Sequence, residues 1–462
     1  MNLRRKIYDY LMQWKDEKKR HKALIIEGMR QIGKSYIVEK FTKEQYKKCI
    51  FFDFRSNASH RDIFKGDFDL KTFKTNIVVL TGEEYDDSDA VLVFDEIGDS
   101  PDARAAIKYL IKETNFDIIA TGNLLGVKGF SSKGKRSASV GFEEFVTMYP
   151  LDFEEFLWAN GISEDVINEV NSCLDDYHPI NEFIHNKLDD LFSSYVVVGG
   201  MPEAVIIYLE TLDYYKCYEK NTFLLREMES DFGRTLDENG DIILDSKLLA
   251  RTKEVFNSLP SQLAKDNSKF QFSQIRKGAR AKEYEEAIVW LIDSGMVKKC
   301  CNLTDIDNPL SMYAINDSYK LYFCDTGLLL AKIGFSAITG FVQKKLASAG
   351  GFFYENIASS ELVKENYELF YSDNGVSELG FIVETIDGPA IIEVKQGNKQ
   401  SKSARAVIEG KSNRHASICY KVRSGNFGIG SYYYGLPHYA FSFLLNKIKS
   451  KLVNLGGNNE SK

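Results

Sequence analysis

The glycine-rich stretch between residues 23 and 35 constrains the fold more than any other part of this sequence. Residues 28–35 read Gly-Met-Arg-Gln-Ile-Gly-Lys-Ser and fit the pattern G-x-x-x-x-G-K-[ST]. An apolar run, Leu24 to Ile26, precedes the pattern, and an amphipathic run, Tyr36 to Phe41, follows it. This order predicts a buried strand, a loop and a helix. Backbone N–H groups of such a loop, together with the helix N-terminus, attract phosphate groups.

The residue types in the loop indicate a nucleoside triphosphate as the ligand. The Lys34 ammonium is expected to reach the β- and γ-phosphates, and the Ser35 hydroxyl is expected to bind Mg²⁺. The residues predicted to contact the nucleotide are Gly28, Met29, Arg30, Gln31, Ile32, Gly33, Lys34, Ser35 and Tyr36.

An acidic pair follows the next strongly apolar strand. Residues 91–94 read Val-Leu-Val-Phe, and Asp95 and Glu96 come directly after them. Asp95 at the strand end can hold the Mg²⁺ ion, and Glu96 can polarise a water molecule for attack on the γ-phosphate. A polar strand end without a catalytic role is the simpler alternative.

Residues 117–122 predict a further strand, with Asn123 at its tip. Because ligands bind at the carboxyl ends of parallel strands, Asn123 is expected to sense the γ-phosphate and orient the attacking water. Thr121 is the alternative candidate for this sensing role. Asn123 would then only form the turn after the strand. These features predict an α/β fold with the parallel sheet of P-loop ATPases. They indicate the class of P-loop ATPases that has an added central strand and a catalytic glutamate.

Composition limits the remaining possibilities. A chain of 462 residues is too long for one hydrophobic core. The net charge of −7 gives no support to a global nucleic-acid-binding surface. The cysteines contain no C-x-x-C pair and the histidines are dispersed, so no zinc site is predicted. The sequence has neither a run of 18 apolar residues nor an apolar leader, so we expect a cytoplasmic protein without membrane contact.

Several motifs together resemble one family. They occupy residues 28–35, 93–97, 120–127, 148–158 and 198–205. The chain resembles the AAA+-superfamily ATPases of bacteria and archaea whose carboxyl-terminal half is a separate domain of unknown function. The resemblance implies ATP and Mg²⁺ as cofactors, and ATP hydrolysis. Arg30 matches a family position, where it would contact phosphate or brace the loop by a salt bridge. The family more often has serine at the position of Asn123.

The resemblance and the hydrophobic pattern together divide the chain into five parts. We expect an ATPase core over 1–150, a helical lid and connector over 151–245, and a winged-helix-like segment over 246–335. A nuclease-like α/β domain is expected over 340–450 and a disordered tail over 451–462. The Gly-Gly-Met-Pro sequence at 199–202 suggests a hinge. Because such ATPases often use an arginine from a neighbouring subunit, a homo-oligomer is possible, with Arg104, Arg226 and Arg234 as candidates.

The winged-helix-like segment has an ambiguous role. Its third helix would be the recognition helix of a DNA-binding version. The exposed face of that helix carries Glu283, Glu285, Glu286 and Asp293, which would repel phosphate. DNA binding is therefore possible but not favoured by charge, and docking of an unknown protein partner is the alternative.

Residues 391–395, Ile-Ile-Glu-Val-Lys, resemble the strand of the PD-(D/E)xK restriction-endonuclease-like fold. That resemblance gives a possible vestigial nuclease site at Glu355, Glu378, Glu393 and Lys395. Gly380 stands where the family places a metal-binding aspartate, and glycine offers no side-chain oxygen to Mg²⁺. We therefore expect a degenerate nuclease-like domain. Two alternatives to the ATPase remain open: a metal-dependent DNA nuclease coupled to ATP, and a non-hydrolysing ATP-binding scaffold for a protein partner.

Overall fold

A computed structural model describes residues 2–17, 22–66, 68–83, 89–124, 141–236, 242–265, 268–343, 350–397 and 401–457. The helices are α1 Lys6–Asp16, α2 Lys34–Gln45, α3 Ala58–Asp62, α4 Leu70–Thr81, α5 Pro101–Glu113, α6 Phe153–Ala159, α7 Glu164–Asp176, α8 Glu182–Val198, α9 Pro202–Thr211, α10 Tyr214–Glu229, α11 Ser246–Leu263, α12 Ala281–Asp293, α13 Thr326–Ile333, α14 Phe335–Val342, α15 Gly351–Lys364, α16 Lys402–Ile408 and α17 Phe441–Gly457. The strands are β1 Ala23–Gly28, β2 Lys48–Asp53, β3 Ala90–Asp95, β4 Asp117–Gly122, β5 Glu143–Met148, β6 Arg234–Leu236, β7 Ile242–Leu244, β8 Val297–Leu303, β9 Ala314–Phe323, β10 Leu369–Asp373, β11 Glu378–Thr385, β12 Gly388–Lys395, β13 Ile418–Arg423, β14 Gly428–Ile429 and β15 Tyr434–Pro437.

The amino-terminal sheet is parallel, with the strand order β2-β3-β4-β1-β5. Strand β4 therefore lies between the strand that leads into the glycine-rich loop and the strand that ends in the acidic pair. This is the predicted α/β sheet of P-loop ATPases with an added central strand. Strand β5 was not predicted, because its sequence Glu-Glu-Phe-Val-Thr-Met is largely polar and only half-buried.

The side chains of β1 alternate between two cores, as the period of a strand requires. Leu24 and Ile26 face a core that continues through the helical segment and into the carboxyl-terminal sheet. Ile25 faces a second core, which is rich in phenylalanine and closes the other side of the sheet. One face of the ATPase sheet therefore shares its core with the rest of the chain.

The helical segment after residue 151 packs tightly at the position of the expected hinge. The Leu151 amide donates to the Gly200 carbonyl at 2.7 Å, and the Gly200 amide donates to Asp325 Oδ2 at 2.7 Å. Residues 195–201 are all buried. This segment is a closely packed junction between α6, α8 and α13, so the hinge interpretation is not supported.

The carboxyl-terminal sheet corrects one predicted domain boundary. It has the strand order β14-β15-β13-β12-β11-β10-β8-β9 and contains both parallel and antiparallel pairs. Strand β8, from the predicted winged-helix-like segment, pairs in parallel with β10 of the predicted nuclease-like domain. The boundary placed between 335 and 340 therefore divides one continuous sheet. Sequence periodicity could not reveal this, because pairing between distant strands leaves no local signal.

The elements expected of the winged-helix-like segment occur in the predicted order. Helices α11 and α12 and the hairpin β8–β9 are present, whereas the middle helix is only a 3₁₀ turn over Phe272–Gln274. Because the hairpin belongs to the larger sheet, the winged-helix assignment stays a prediction.

The expected disordered tail is also corrected. Helix α17 extends to Gly457, so residues 451–457 are helical, while residues 458–462 lie outside the described part of the chain. The buried residues Phe443, Leu444, Leu445 and Ile448 anchor the helix, and Leu452 continues its spacing. Within the described residues, no helix is both long and apolar enough to cross a membrane.

Arg104, a candidate for an arginine acting on a neighbouring subunit, is buried inside its own domain. Its Nε and Nη2 atoms donate to the two carboxylate oxygens of Glu143 at 3.0 and 2.9 Å, and each side chain is only 4% exposed. This bidentate pair joins α5 to β5 and cannot reach another subunit. The candidate is therefore wrong for a steric reason.

We predict that Arg104→Met destabilises the protein by about 3–5 kcal/mol, because it leaves the Glu143 charge buried and uncompensated. The double variant Arg104→Met/Glu143→Met should recover most of this loss. Urea unfolding followed by circular dichroism measures both. Arg4→Met is the matched control: its pair with Glu164 is more than half exposed, so the change should stay below about 1 kcal/mol. An equal effect of Arg104→Met and Arg4→Met would contradict the prediction.

Candidate active site

The candidate active site lies at the carboxyl ends of β1, β3 and β4. The glycine-rich loop leaves β1 at Gly28 and enters α2 at Lys34. Two loop residues have left-handed backbone angles, Gln31 with φ of 62° and Gly33 with φ of 87°. Glycine adopts this conformation without steric cost, so Gly33 allows the sharp entry into α2. The predicted strand, loop and helix are thus present.

Lys34 is buried within the loop. Its side chain is curled so that Nζ donates to the carbonyl oxygens of Gly28 at 3.0 Å and Met29 at 2.7 Å. Burial lowers the pKa of Lys34 to about 8, and the nearby Glu96 and Asp95 offset only part of this effect. Since both hydrogen-bond acceptors are neutral carbonyls, an anionic phosphate oxygen would be a stronger partner for the ammonium group.

Asp95 receives two hydroxyl groups on one carboxylate oxygen. Ser35 Oγ donates to Asp95 Oδ1 at 2.6 Å, and Thr121 Oγ1 donates to the same oxygen at 2.5 Å. Mg²⁺ prefers hard oxygen ligands such as hydroxyl and carboxylate groups. The adjoining oxygens of Ser35 and Asp95 therefore fit a magnesium ion, and these two residues would hold it.

Glu96 is held next to this pair in a strained conformation. Its φ and ψ are both 54°, a left-handed conformation that is unusual for a glutamate. The Glu96 amide donates to Thr121 Oγ1 at 3.2 Å. Burial raises the pKa of Glu96, while Lys34, Arg55 and Arg30 partly counteract it. Strain of about 1–3 kcal/mol is typical of residues whose position matters for function.

Thr121 contacts both acidic residues. This bears on the choice between Thr121 and Asn123 as the residue that senses the γ-phosphate. The threonine is fully buried and bonds the Asp95 carboxylate and the Glu96 backbone together. Asn123 lies just beyond the end of β4 and is half-buried. Thr121 is thus a positioning residue for the acidic pair, and the sensing role of Asn123 stays a prediction.

The other loop residues face different surroundings. Arg30 forms an ion pair with Asp231, which also contacts Arg234 at 2.9 Å. Of the two roles expected for Arg30, a phosphate contact and a salt bridge that braces the loop, this arrangement corresponds to the salt bridge. Tyr36 is 54% exposed and its hydroxyl reaches Asn2 Oδ1 at 3.4 Å.

Two contacts join the loop to distant parts of the chain. Arg5 is buried, and it donates to Ile32 O at 3.1 Å and to Glu155 Oε1 at 3.1 Å. A Cβ atom added to Gly295 would lie 2.6 Å from Leu124 Cδ1 and 3.0 Å from Met29 Cγ, so the turn after α12 presses against the loop. No local pattern could have identified Arg5, because its partner Glu155 is 150 residues away.

A second cluster occupies a cavity of about 190 Å³ in the carboxyl-terminal sheet. All four residues of the predicted vestigial nuclease site line it: Glu355, Glu378, Glu393 and Lys395. The distance between Lys395 Nζ and Glu393 Oε2 is 3.4 Å. The sequence therefore identified a group of residues that the fold brings together.

Lys320, from β9, also lines this cavity and was not predicted. Its side chain is 3% exposed, and Nζ donates to Glu378 Oε1 at 2.6 Å. Burial alone would lower the pKa of Lys320, but Glu355 and Glu378 outweigh it and the pKa is raised. The lysine is thus a permanent cation beside the carboxylate that could have replaced the missing aspartate.

Gly380 has a steric reason for being glycine. A Cβ atom at this position would lie 2.4 Å from the backbone carbonyl oxygen of Ile392 on the neighbouring strand β12. The Gly380 amide also donates to Glu393 Oε1 at 3.3 Å. In this sheet the position has no room for an aspartate side chain.

Comparison with known families agrees with the amino-terminal fold. Residues 20–157 match the family model described as an AAA domain. Residues 189–339 match a model described as "Domain of unknown function (DUF8612)". No curated protein sequence matches the chain.

Several solved structures have a distant likeness. The Walker-type ATPase PABY2304 of Pyrococcus abyssi is 14% identical with a TM-score of 0.42, and the alignment covers 72% of this chain and 96% of that one. The RuvB Holliday junction branch migration motor of Thermotoga maritima is 10% identical with a TM-score of 0.28, over 64% and 89% of the two chains. The family assignment therefore depends on the match over residues 20–157 and on the site geometry. The amino-terminal part of this chain is an AAA domain of the P-loop ATPase class, and a domain of unknown function follows it.

Proposed function

We propose that the chain is a Mg²⁺-dependent ATPase that hydrolyses ATP at the glycine-rich loop. The observation that carries the proposal is the convergence of Ser35 and Thr121 on Asp95, with Glu96 fixed beside them. Lys34 neutralises the β- and γ-phosphates, and Ser35 and Asp95 hold the ion. The ion supplies charge stabilisation when it is bound.

Glu96 is the proposed general base. A carboxylate with a raised pKa accepts a proton from water more readily, because the ideal catalytic pKa lies nearer the working pH. Thr121 accepts a hydrogen bond from the Glu96 backbone amide and so holds this residue next to the proposed magnesium ligands. The non-hydrolysing scaffold is the weaker alternative, since it would leave the strained placement of Glu96 without a role.

The first prediction from the proposed function concerns turnover. We expect Glu96→Gln to lower steady-state phosphate release by about 10²–10⁴-fold while ATP still binds, and Lys34→Ala to lose ATP binding. Glu113→Gln, at an exposed helix end, is the matched control and should not change the rate.

Phosphate release should be measured over a range of protein concentrations, since a neighbouring subunit could supply an arginine. Arg226 is exposed on α10 and stays a candidate for that role. Hydrolysis is wrong if the wild type is no faster than both variants at every concentration. ATP binding without turnover would then favour the scaffold.

We further propose that the loop transmits its nucleotide state to the carboxyl-terminal half. Two contacts support this proposal: Arg30 with Asp231, and Met29 with Gly295. A phosphate would compete with Asp231 for the Arg30 guanidinium, since both are anions that bind the same donors. Breaking the Arg30–Asp231 pair would release the end of α10.

The second prediction tests this transmission by hydrogen exchange. A non-hydrolysable ATP analogue with Mg²⁺ should change the exchange of residues 226–234 by about fivefold or more in the wild type, and much less in Asp231→Asn. Glu229→Gln is the matched control, because it breaks a neighbouring pair with Lys332 that does not involve the loop. Equal changes in wild type and Asp231→Asn would refute a role for this contact.

Metal-dependent DNA cleavage is not the function that the carboxyl-terminal cavity supports best. Lys320 already neutralises Glu378, and Gly380 leaves no room for the missing ligand. The cavity fits the expectation of a degenerate nuclease-like domain better. DNA binding by the winged-helix-like segment stays a prediction. It is not favoured by the pairing of Arg276, which precedes α12, with Glu283 at 2.6 Å.

The third prediction concerns Gly380→Asp. Restoring the family residue should lower stability by about 1–3 kcal/mol through overpacking against Ile392, and it should create no Mn²⁺ binding or DNA cleavage. Gly397→Asp is the control, since a Cβ atom there meets nothing within 4 Å. Thermal unfolding, Mn²⁺ titration and incubation with plasmid DNA measure the outcome. A stable Gly380→Asp variant that binds Mn²⁺ and cuts DNA would restore the nuclease hypothesis.

A further inference from the structure

A group of metal-binding residue types lies far along the chain from the ATP site, at the end of α7. Glu169 and Cys173 are one helical turn apart, and His178 lies in the turn that follows the helix. One side-chain ligand atom from each residue lies within 4.8 Å of the others. Cys173 is buried, whereas Glu169 and His178 are exposed. The sequence pattern is Glu-x₃-Cys-x₄-His, which a scan for C-x-x-C pairs and histidine clusters passes over.

The distance between the two best ligands fits one ion. Cys173 Sγ lies 3.4 Å from His178 Nε2. In a tetrahedral zinc site with Zn–S of about 2.3 Å and Zn–N of about 2.0–2.1 Å, the sulfur and nitrogen atoms are about 3.6 Å apart. Little movement is therefore needed for both atoms to bind the same ion. The exposed Glu169 side chain can rotate to bring its carboxylate into reach.

The backbone and a neighbouring carboxylate orient the histidine. Tyr177 ends α7 in a left-handed conformation with φ of 60°, which folds the chain back toward Cys173. Asp176 Oδ1 then accepts the backbone N–H of His178 at 3.1 Å and also contacts its Nδ1 atom. When Nδ1 donates to a carboxylate, the Nε2 lone pair is free for a metal. A carboxylate behind a histidine is the usual second shell of a metal site.

The alternatives for these residues are a plain hydrogen bond and a reactive thiol. A reactive thiol is disfavoured, because Cys173 is fully buried and buried structural cysteines are inert toward reagents in solution. A plain hydrogen bond does not account for the third ligand at helical spacing or for the oriented imidazole. A metal ion uses all of these features.

We propose that Glu169, Cys173 and His178 bind one divalent transition-metal ion of the zinc class, with Asp176 as the residue that orients His178. Sulfur and imidazole ligands favour zinc-like ions over Mg²⁺ and Ca²⁺. Three protein ligands leave the fourth position open to solvent or to another ligand. Because the site shares no residue with the loop, its existence is independent of ATP hydrolysis.

The surroundings indicate what the ion would do. Lys447 of α17 donates to the Leu174 carbonyl and to Asp175 Oδ1, both at 2.6 Å. Ile180 and Asn426 exchange two hydrogen bonds of 2.9 and 2.8 Å. The turn that carries His178 is therefore the place where the helical segment meets the carboxyl-terminal sheet. An ion bound there would fix this contact.

Cobalt titration of the full-length protein tests the site directly. Co²⁺ bound to a thiolate has a charge-transfer absorption in the near ultraviolet, and we expect this band to saturate at one ion per chain and to disappear on adding Zn²⁺. Cys173→Ser should lose the band, and His178→Gln should weaken binding strongly. Asp176→Asn should weaken it by about 10–100-fold, as second-shell substitutions do. The controls are Cys49→Ser and His415→Gln, which should bind as the wild type does.

A second measurement protects the test against misfolding, because Cys173 is buried. Circular dichroism and thermal unfolding without metal establish that each variant is folded, and Zn²⁺ should raise the unfolding midpoint of the wild type but not of His178→Gln. His178 and Asp176 are exposed, so they decide the outcome if Cys173→Ser does not fold. Absence of the band in the wild type, or a band that survives in folded His178→Gln and Asp176→Asn unchanged, overturns the proposal.

Discussion

The two hydroxyl groups that converge on one oxygen of Asp95 are the interaction on which the active site depends. Ser35 comes from the helix after the loop, Thr121 from the central strand β4, and Asp95 from β3. Because β4 lies between β1 and β3, the strand order places the ends of these elements side by side. The hydrogen bonds thus hold together Ser35 and Asp95, the pair that we propose to bind Mg²⁺, and the same threonine holds the Glu96 backbone beside them.

The cations around the loop have different tasks. Lys34 is inside the loop and bonds only to carbonyls among its closest hydrogen-bond partners, so a phosphate can engage it. Arg5 and Arg30 already have carboxylate partners in Glu155 and Asp231. A buried or partly buried guanidinium with a carboxylate partner braces structure, because separating the two would strand a charge. This distinction agrees with the proposal that Lys34 is the cation available to the β- and γ-phosphates, and that Arg30 becomes available to phosphate only when it leaves Asp231.

Local sequence signals predicted the parts of the molecule that short segments determine. The loop, the strands that end at Asp95 and Gly122, and the helices beside them follow from hydrophobic period and from glycine positions. The charged cluster of the carboxyl-terminal cavity was predicted from the resemblance of residues 391–395 to a strand of the PD-(D/E)xK fold. Features that depend on contacts between distant parts of the sequence were not predicted. Arg5, Lys320 and strand β5 acquire their roles from partners far away in sequence, and the pairing of β8 with β10 merges two predicted domains. The helix continues through 451–457 although two glycines lie at its end, because the buried residues before them anchor it.

The carboxyl-terminal cavity illustrates why a cluster of charged residues is weak evidence for catalysis. Two of the three carboxylates there have a close lysine partner: Lys320 lies 2.6 Å from Glu378 and Lys395 lies 3.4 Å from Glu393, while Glu355 lines the same cavity. Lys320 and Glu393 are the buried members of these pairs, and removing the partner of either would leave its charge uncompensated and lower the stability of the protein. Charged residues of this kind can therefore be retained for stability alone, without the metal-binding aspartate expected at the position of Gly380. The Lys320 ammonium places a positive charge beside these carboxylates, as a divalent ion would in a nuclease. Unlike a metal ion, it has no coordination position at which to activate water.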